Sequence, residues 1–589
     1  MNAPLYTQDN LRITVTSPFG PDKLLFKSLQ GEEYLSKLFQ FNIEMLAQVD
    51  DLEFNSIIGQ NLGITIQFPE DNQRYINGMV TRFVQAGTDA RFSVYHAEIR
   101  PWLWALTLTQ NCRIFQQLSV PDLLKKIFNE LGFSDYRFKL MYPHEPREYC
   151  VQYEETAFNF AARLMEDEGM FYFFEHQADK HTLIIADDLG AHPLCPGIDT
   201  ARFWQSPNET SPEDVITQCQ FGQQMVSGKY AVDDFNFEIP STRLRTQVGG
   251  PCGDYRIYEY AAGYCKRDQG DIKVRRRIEA HELNQKLLEG QGHCFSFTAG
   301  HQFNLTEHTR GDLNRAYVLR WVSHSLSLNH YSNAFHAFPA DIPFRPPLIT
   351  PKPKIVSTQT AIVTGPSGEE IWTDNYGRIK VQFHWDQEGQ YDENSSCWIR
   401  VNQSWAGKGW GHISLPRIGQ EVIVSFLNGN PDTPVVTGGV YNAQQVVPYG
   451  LPGAQTKSTL KSNSSKGGGG SNELRFEDKA GQEEIFVHAQ KDQNEIVENN
   501  MSTTVKADKT VSVVGNITVI NTGSEAKGIY IEAKGEGIVL KCGDSSMTLH
   551  RNGTIEIKGN IINITGTATV CTDGQATNTV KGGVVLLNP

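Results

Sequence analysis

The sequence is poor in the features that would place it in a membrane or on nucleic acid. No run of about 18 apolar residues, the length a helix needs to cross a bilayer, occurs in the 589 residues. The first residues, MNAPLYTQDN, have no basic start with an apolar stretch behind it, so no Sec-type signal is expected. Basic residues are outnumbered: 53 Lys and Arg against 67 Asp and Glu leave a formal charge of −14. That balance opposes general binding to nucleic acid or anionic lipid, partners that reward lysine and arginine. The basic cluster KVRRR, Lys273 to Arg277, lies in a helix-like stretch and reads as a solvated helix face rather than a phosphate site. CxxC spacing is also missing. Ten cysteines are scattered from 112 to 571, which points to neither a zinc ribbon nor a dense disulfide framework. They read as reduced, mostly buried cytosolic thiols, with a Cys252–Cys265 bridge left open.

Catalytic motifs fail one by one. His281-Glu282 has Gln285 where a zincin helix needs its second histidine. Gly543-Asp-Ser-Ser lacks the closing glycine of a nucleophile elbow and reads as a turn. Glu166, Asp167 and Glu168 are consecutive on a predicted helix, so they diverge around it and do not face one another like a glycosidase pair. Gly407-Lys-Gly-Trp-Gly411 stands in a β-rich loop and opens no helix, which argues against a phosphate cradle. His384 and Asp386 share a strand face and are candidate metal ligands, but a satisfied barrel histidine is the preferred reading. No enzyme activity, metal or cofactor is expected.

What is present divides into four stretches. Residues 1–357 mix β-like runs with a few helices and read as an α+β domain. One helix is signalled by Ser119-Val-Pro-Asp122, an N-cap with proline in the first turn, followed by an apolar face of Leu123, Leu124, Ile127, Phe128 and Leu131 and a stop at Gly132. A second runs from Thr156 to a stop at Gly169 and leads into the aromatic strand MFYFFEH. Residues 358–449 alternate short β runs with turns, as a small closed barrel of the oligonucleotide/oligosaccharide-binding (OB) type does. Its aromatics, Phe383, Trp385, Trp398, Trp405 and Trp410, are read as structural and protein-contact groups. Residues 450–471 are rich in glycine, serine and proline and read as a connector.

Residues 472–589 carry the strongest pattern. Between Val505 and Val519 six of the eight odd positions are apolar against one of the seven even ones, which is the strand period. The alternation returns at Ile529 and Ile531, at Met547 to Ile561, and after a one-residue slip at Ile562 to Val570. Such strands have one apolar face and no helix to cover it. Ordering two residues costs about 2–4 kcal/mol of backbone entropy. Burying the single inward Val or Ile returns about 1.5–3 kcal/mol, and ladder hydrogen bonds add roughly 0.5–1.5 each. Half-buried strands therefore lose, and the face needs two more of its own kind: three copies wound about one axis. A single-chain β-solenoid is the alternative. On the trimeric reading, Gly467, Gly468, Gly469 and Gly470 form a native hinge between barrel and stalk.

SSKGGGGSNELRFEDKAGQEEIFVHAQKD (464–492) resembles the junction of the VgrG family, trimeric spikes of the bacterial type VI secretion system. Support comes from YEET through RLMEDEGMFYFFEH (153–176), GHQFNLTEH (300–308), GRIKVQFHW (377–385) and PRIGQEV (416–422), in family order across nearly the whole chain. The resemblance implies a hub like that of contractile phage tails, an OB barrel, and an intertwined trimeric β-helix or β-prism stalk. It also implies a seat on a tube of Hcp rings, effector delivery, and residence in the cytoplasm before firing and secretion into the target cell or medium. Three copies of Val584, Val585, Leu586 and Leu587 would converge at the tip, where a conical PAAR-type cap protein is expected. A phage tail spike or baseplate hub, or a glycan-binding or glycan-degrading β-stalk, is the alternative.

Overall fold

The computed structural model describes residues 6–9, 11–67, 72–89, 91–204, 214–250, 253–328, 330–522 and 528–586. The chain divides into two units, residues 1–492 and 493–589.

The first unit is dominated by a twelve-stranded sheet. Its strands form by alternation. In Gln40–Ala47 the residues Phe41, Ile43, Met45 and Ala47 point inward and their neighbours outward. Six strands run in the order Ile13–Thr16, Asn61–Gln67, Gln73–Asp89, Phe92–Arg100, Gln40–Ala47 and Leu25–Tyr34. The sheet continues into Ala316–Ser327, Gln302–Thr306, Thr200–Phe203, Val215–Gln223, Lys286–Gly292 and Tyr331–Pro339. Because Tyr331–Pro339 pairs back onto Ala316–Ser327, this second group closes into a ring. Phe297, Phe303, Tyr317, Leu319 and Phe335 fill it.

Helix α1 (Val120–Glu130) starts where Ser119 accepts the Asp122 backbone N–H and buries Leu123, Leu124, Ile127 and Phe128. Leu131, expected on that face, is the exposed C-cap. Helix α2 (Ala157–Glu168) is capped by Thr156, which accepts from the Asn159 N–H, and closed by Gly169. The strand Phe171–His176 follows and pairs with His181–Ala186. Helix α3 (Arg267–Glu282) covers a three-stranded sheet of Lys229–Asp233, Thr246–Gly249 and Arg256–Tyr260. No helix among the described residues is long and apolar enough to cross a membrane.

The KVRRR cluster corrects the reading of a solvated face. Lys273 and Arg277 are buried, and Lys273 Nζ and an Arg277 Nη bind Asp167 at 3.0 and 2.7 Å. The carboxylates of α2 and the cations of α3 face each other across the two helices. Charges of opposite sign, 106 and 110 positions apart, become one buried network that neither segment announces by itself.

The small barrel is a five-stranded sheet: Lys380–Phe383, Gln359–Thr364, Glu421–Phe426, Pro434–Val440 and Arg400–Val401, in that order. Ile379 and Ile399 exchange backbone bonds at 2.9 and 2.7 Å and close the ring. Its core gathers Val363, Val381, Phe383, Val422 and Val424, together with Ile355, which precedes the boundary expected at 357/358. Ile114 and Tyr153 of the hub pack against that core. The Val151 N–H donates to Asp432 at 2.8 Å, and Gln359 Nε2 donates to the Tyr153 hydroxyl at 2.9 Å.

The segment expected as a connector contains a strand, Lys457–Lys461, which pairs with Glu473–Glu477 and then Glu484–His488. KSTLK carries one apolar residue, so its alternation is invisible until the partners are known.

The second unit is sparse. Its strands among the described residues are Gly537–Cys542, Ser545–His550 and Ile555–Lys558. The turn at Gly543 joins the first two. Residues 493–522, where the period-two pattern is cleanest, carry no hydrogen-bonded strand in the single chain.

The cysteines differ from the expectation of mostly buried thiols. Cys150, Cys195 and Cys294 are buried, Cys112, Cys219 and Cys397 partly so, and Cys265, Cys542 and Cys571 are exposed. Cys252 lies outside the described residues.

Candidate functional site

The three-stranded sheet of 457–488 has two unlike faces, set by its register. Leu460, Leu474 and Val487 align across the strands, and Phe476 and Ile485 form the next row on the same face. All five are exposed, Leu460 and Ile485 at 70% and 71%. Thr459, Lys461, Glu473 and Arg475 lie on the other face, where Tyr449 covers them. Its hydroxyl bonds Glu473, and its ring sits 4.9, 5.5 and 5.7 Å from the cations of Lys457, Lys461 and Arg475. The sheet is finished on one side and bare on the other.

Gly467, Gly468, Gly469 and Gly470 lie in the loop joining the first two strands of this sheet. The Gly467 N–H donates to Glu370 of the barrel at 2.8 Å, Lys466 pairs with Glu369 at 2.7 Å, and the Ser464 N–H donates to the Gly470 carbonyl at 2.8 Å. The loop holds the sheet to the barrel.

In the second unit most of the apolar residues are bare, with Ile538, Met547 and Leu549 half-buried. No described residue from 493 to 586 is buried. Val505, Val511, Val513, Ile517, Val519, Ile529 and Ile531 are all exposed, against the cost of about 1.5–3 kcal/mol for each such side chain left in water. Val584, Val585 and Leu586 are exposed too. Leu587 lies outside the described residues.

The carboxylates of 166–168, set aside as a glycosidase pair, are engaged in structural contacts. Glu166 accepts the Ile349 and Thr350 N–H groups and the Thr350 hydroxyl. Burial works to raise the Asp167 carboxyl, but Lys273, Arg147 and Arg277 outweigh it and hold it well below the ordinary range. Glu168 binds His144, Arg147 and Arg276 at 3.1, 2.8 and 3.0 Å. His384 Nε2 meets the Thr360 hydroxyl at 3.1 Å, while Asp386 accepts the Glu388 and Gly389 N–H groups. No group of three His, Cys, Asp or Glu among the described residues is placed to hold a metal. A hub cavity of about 510 Å³ is lined by Tyr34, Arg320, Trp321 and His336. Of its two carboxylates, Glu32 is bonded to Tyr34 and Glu166 to Ile349 and Thr350.

Comparison with known proteins follows the same division. A family model described as phage tail baseplate hub (GPD) matches residues 32–330. A type VI secretion system/phage-baseplate injector OB domain matches 369–441, and a bacteriophage T4 gp5 C-terminal trimerisation domain matches 458–580. The type VI secretion system spike protein VgrG1a of Pseudomonas aeruginosa is 38% identical over 601 residues, covering 96% of this chain and 94% of that protein. The chain belongs to the VgrG family.

This VgrG chain is accordingly a puncturing spike of the type VI secretion system and a trimer. The trimerisation match begins at 458, inside the bare sheet and not beyond it. Sequence reasoning found the stalk but missed this sheet, whose signal is the LRFE and IFVH alternation of 474–488. The actin cross-linking toxin VgrG1 of Vibrio cholerae is 32% identical over 534 residues, 86% of this chain and 48% of that longer protein. Among solved structures, an Escherichia coli type VI secretion component similar to the phage proteins gp27 and gp5 matches with a TM-score of 0.54 at 18% identity. That match covers 72% of this chain and 100% of that one, and it shows the shared fold.

Proposed function

We propose that three copies of this VgrG chain form a firing spike in which each copy's bare strands are covered by the other two. The observation that carries the reading is the absence of any buried residue among the described positions of 493–586, in a segment whose apolar residues alternate with strand period. Closing those faces against each other removes the cost, and inter-chain ladders resist shear because many bonds must break together. The stalk spans 472–589, with the hub at 1–357 and the barrel at 358–449.

The hub rests on a tube of Hcp rings, and the apolar run of Val584, Val585, Leu586 and Leu587 receives a PAAR-type cap protein carrying effectors. The acidic chain takes no nucleic acid and passes the target membrane by mechanical force. It waits in the cytoplasm and leaves through the secretion apparatus. Its role is mechanical, without catalysis. Gly467 to Gly470 form the barrel-facing turn of the sheet through which each chain enters the shared structure.

Three measurements test this. Light scattering of the full chain should give three times the 66.1 kDa chain mass; a well-folded monomer at micromolar concentration rejects it. In a producing strain, deletion of the gene should abolish tube-protein release and killing of co-cultured prey. A chain ending at Thr579 that still retains the cap in pull-downs rejects the tip assignment.

A further inference from the structure

One feature of the barrel is left uncovered by the other described residues. Residues 404–414 are all exposed, yet they are ordered. Ala406 and Gly411 form a bridge, the Gly407 N–H donates to the Trp410 carbonyl at 2.9 Å, and the His412 N–H donates to the Trp405 carbonyl at 2.9 Å. At the base, the Ser414 N–H donates to Gln403 Oε1 at 2.8 Å, and Gln403 Nε2 donates to the Ser414 carbonyl at 3.2 Å. The product is a protruding arm. It displays Trp405 and Trp410, 65% and 58% exposed, with Ile413 beside them at 75%.

The arm is shaped around its tryptophans. A Cβ on Gly407 would lie 2.3 Å from the Trp410 ring, and one on Gly411, whose φ is +135°, would lie 2.5 Å from the Trp405 carbonyl oxygen. Gly407 lets the Trp410 ring lie against backbone, and Gly411 lets the two strands of the arm approach at the Trp405 carbonyl. The ring centroids are 5.0 Å apart at an interplanar angle of 76°, an edge-to-face pair. That pair gives a corrugated apolar knob, not the flat platform on which a base or sugar stacks.

We propose that this arm packs against the neighbouring chain of the trimer, an inference that rests on the trimeric reading above. The occupant follows from position. Beyond the arm's base, the Ile418 N–H donates to the Glu370 carbonyl at 3.0 Å. Glu370 also accepts the Gly467 N–H of the loop whose sheet bares Leu460, Leu474, Phe476, Ile485 and Val487. The chain four residues past the arm's base is thus fastened to the same residue as the segment in which the trimerisation match begins. Three barrels fastened to three such sheets crowd one axis, and the nearest apolar surface for an exposed tryptophan pair is another copy.

The test places the photo-crosslinker p-benzoylphenylalanine at position 410 of the full-length chain, in place of Trp410. Irradiation should yield covalent chain pairs on a denaturing gel. Trimers by light scattering whose chains stay unlinked after irradiation overturn the arm contact and leave the trimer standing. A monomeric unsubstituted chain overturns both. The double variant Trp405→Ala, Trp410→Ala should weaken association by about tenfold or more, read as an earlier denaturant midpoint for loss of trimer mass; an unchanged midpoint counts against the proposal.

Discussion

Asp167 holds α2 to α3 through Lys273 at 3.0 Å and Arg277 at 2.7 Å, and holds α2 to the strand Arg147–Thr156 through Arg147 at 2.7 Å. Asp167→Asn leaves three cations facing a neutral amide in a largely covered site. Removing one partner of such a network costs about 2–4 kcal/mol, measurable by denaturant unfolding of the full chain; a loss under about 0.5 kcal/mol would mean the cations escape to water. The members of this network were legible in the sequence as an acidic triplet and a basic run, but their pairing was not, because no local pattern encodes a contact between distant segments. The same holds for the hub histidines. His192 Nδ1 donates to the Gly300 carbonyl at 2.9 Å, while its Nε2 is buried without a partner. His181 receives the Trp102 N–H at 2.8 Å. Burial holds His176 and His192 down at about 4 and His181 at about 3, and it lowers His301 and His324 as well. These five are neutral in the fold, whereas an unfolded histidine titrates near 6.5. Stability is full above about pH 6.5 and falls as the pH drops toward the folded values, by up to about 1.4 kcal/mol per unit for each. His144 opposes them. Burial works to lower it, but Asp187 and Glu168 raise it above its ordinary value, so its contribution is present below about 6.5 and lost at higher pH. Burial lowers His281 and His336 too, while the Asp214 carboxyl, pushed up to about 6 by burial, sides with His144; the histidines outnumber both, so the hub should melt at lower temperature at pH 5 than at pH 7, before most carboxylates titrate. A flat profile across that window would refute the buried-neutral assignment.

At the scale of elements, what was legible is what is encoded locally. The starts of α1 and α2 were readable because Ser119 and Thr156 each bond an N–H three residues on, within the stretch that names the helix. Thr156→Ala should cost about 1 kcal/mol, seen as an earlier denaturant midpoint with unchanged slope; Thr156→Ser should recover most of it. The sheet of 457–488 was hidden by the opposite circumstance. Its first strand is nearly all polar, its turn is made of glycine, and its apolar face exists only after Leu460, Leu474 and Val487 are brought into register. Composition alone describes a linker there, and pairing makes it a platform. The tryptophans of 405–410 were equally visible as residues, but their presentation on an arm depends on Gly407 lying under the Trp410 ring and Gly411 lying against the Trp405 carbonyl, which spacing does not reveal.

At the scale of the molecule, the stalk pattern predicts which side chains the other copies cover. Ile517 belongs to the apolar odd set between 505 and 519, and Thr518 to the polar set, so period two sends them to opposite faces. In the trimer Ile517 meets its two counterparts. Ile517→Asp therefore places three carboxylates in one dry layer, where each unpaired charge costs several kcal/mol, while Thr518→Asp places them in water at little cost. The first variant should lose trimer mass by light scattering or expose the region after 492 to protease; the second should do neither. Since folding of those strands and association are one event, their melting should also rise with protein concentration, whereas the hub's own core, closed within one chain, supplies a transition that does not. Equal tolerance of both substitutions, with concentration-independent melting throughout, would mean that the strands shelter within their own chain as a solenoid.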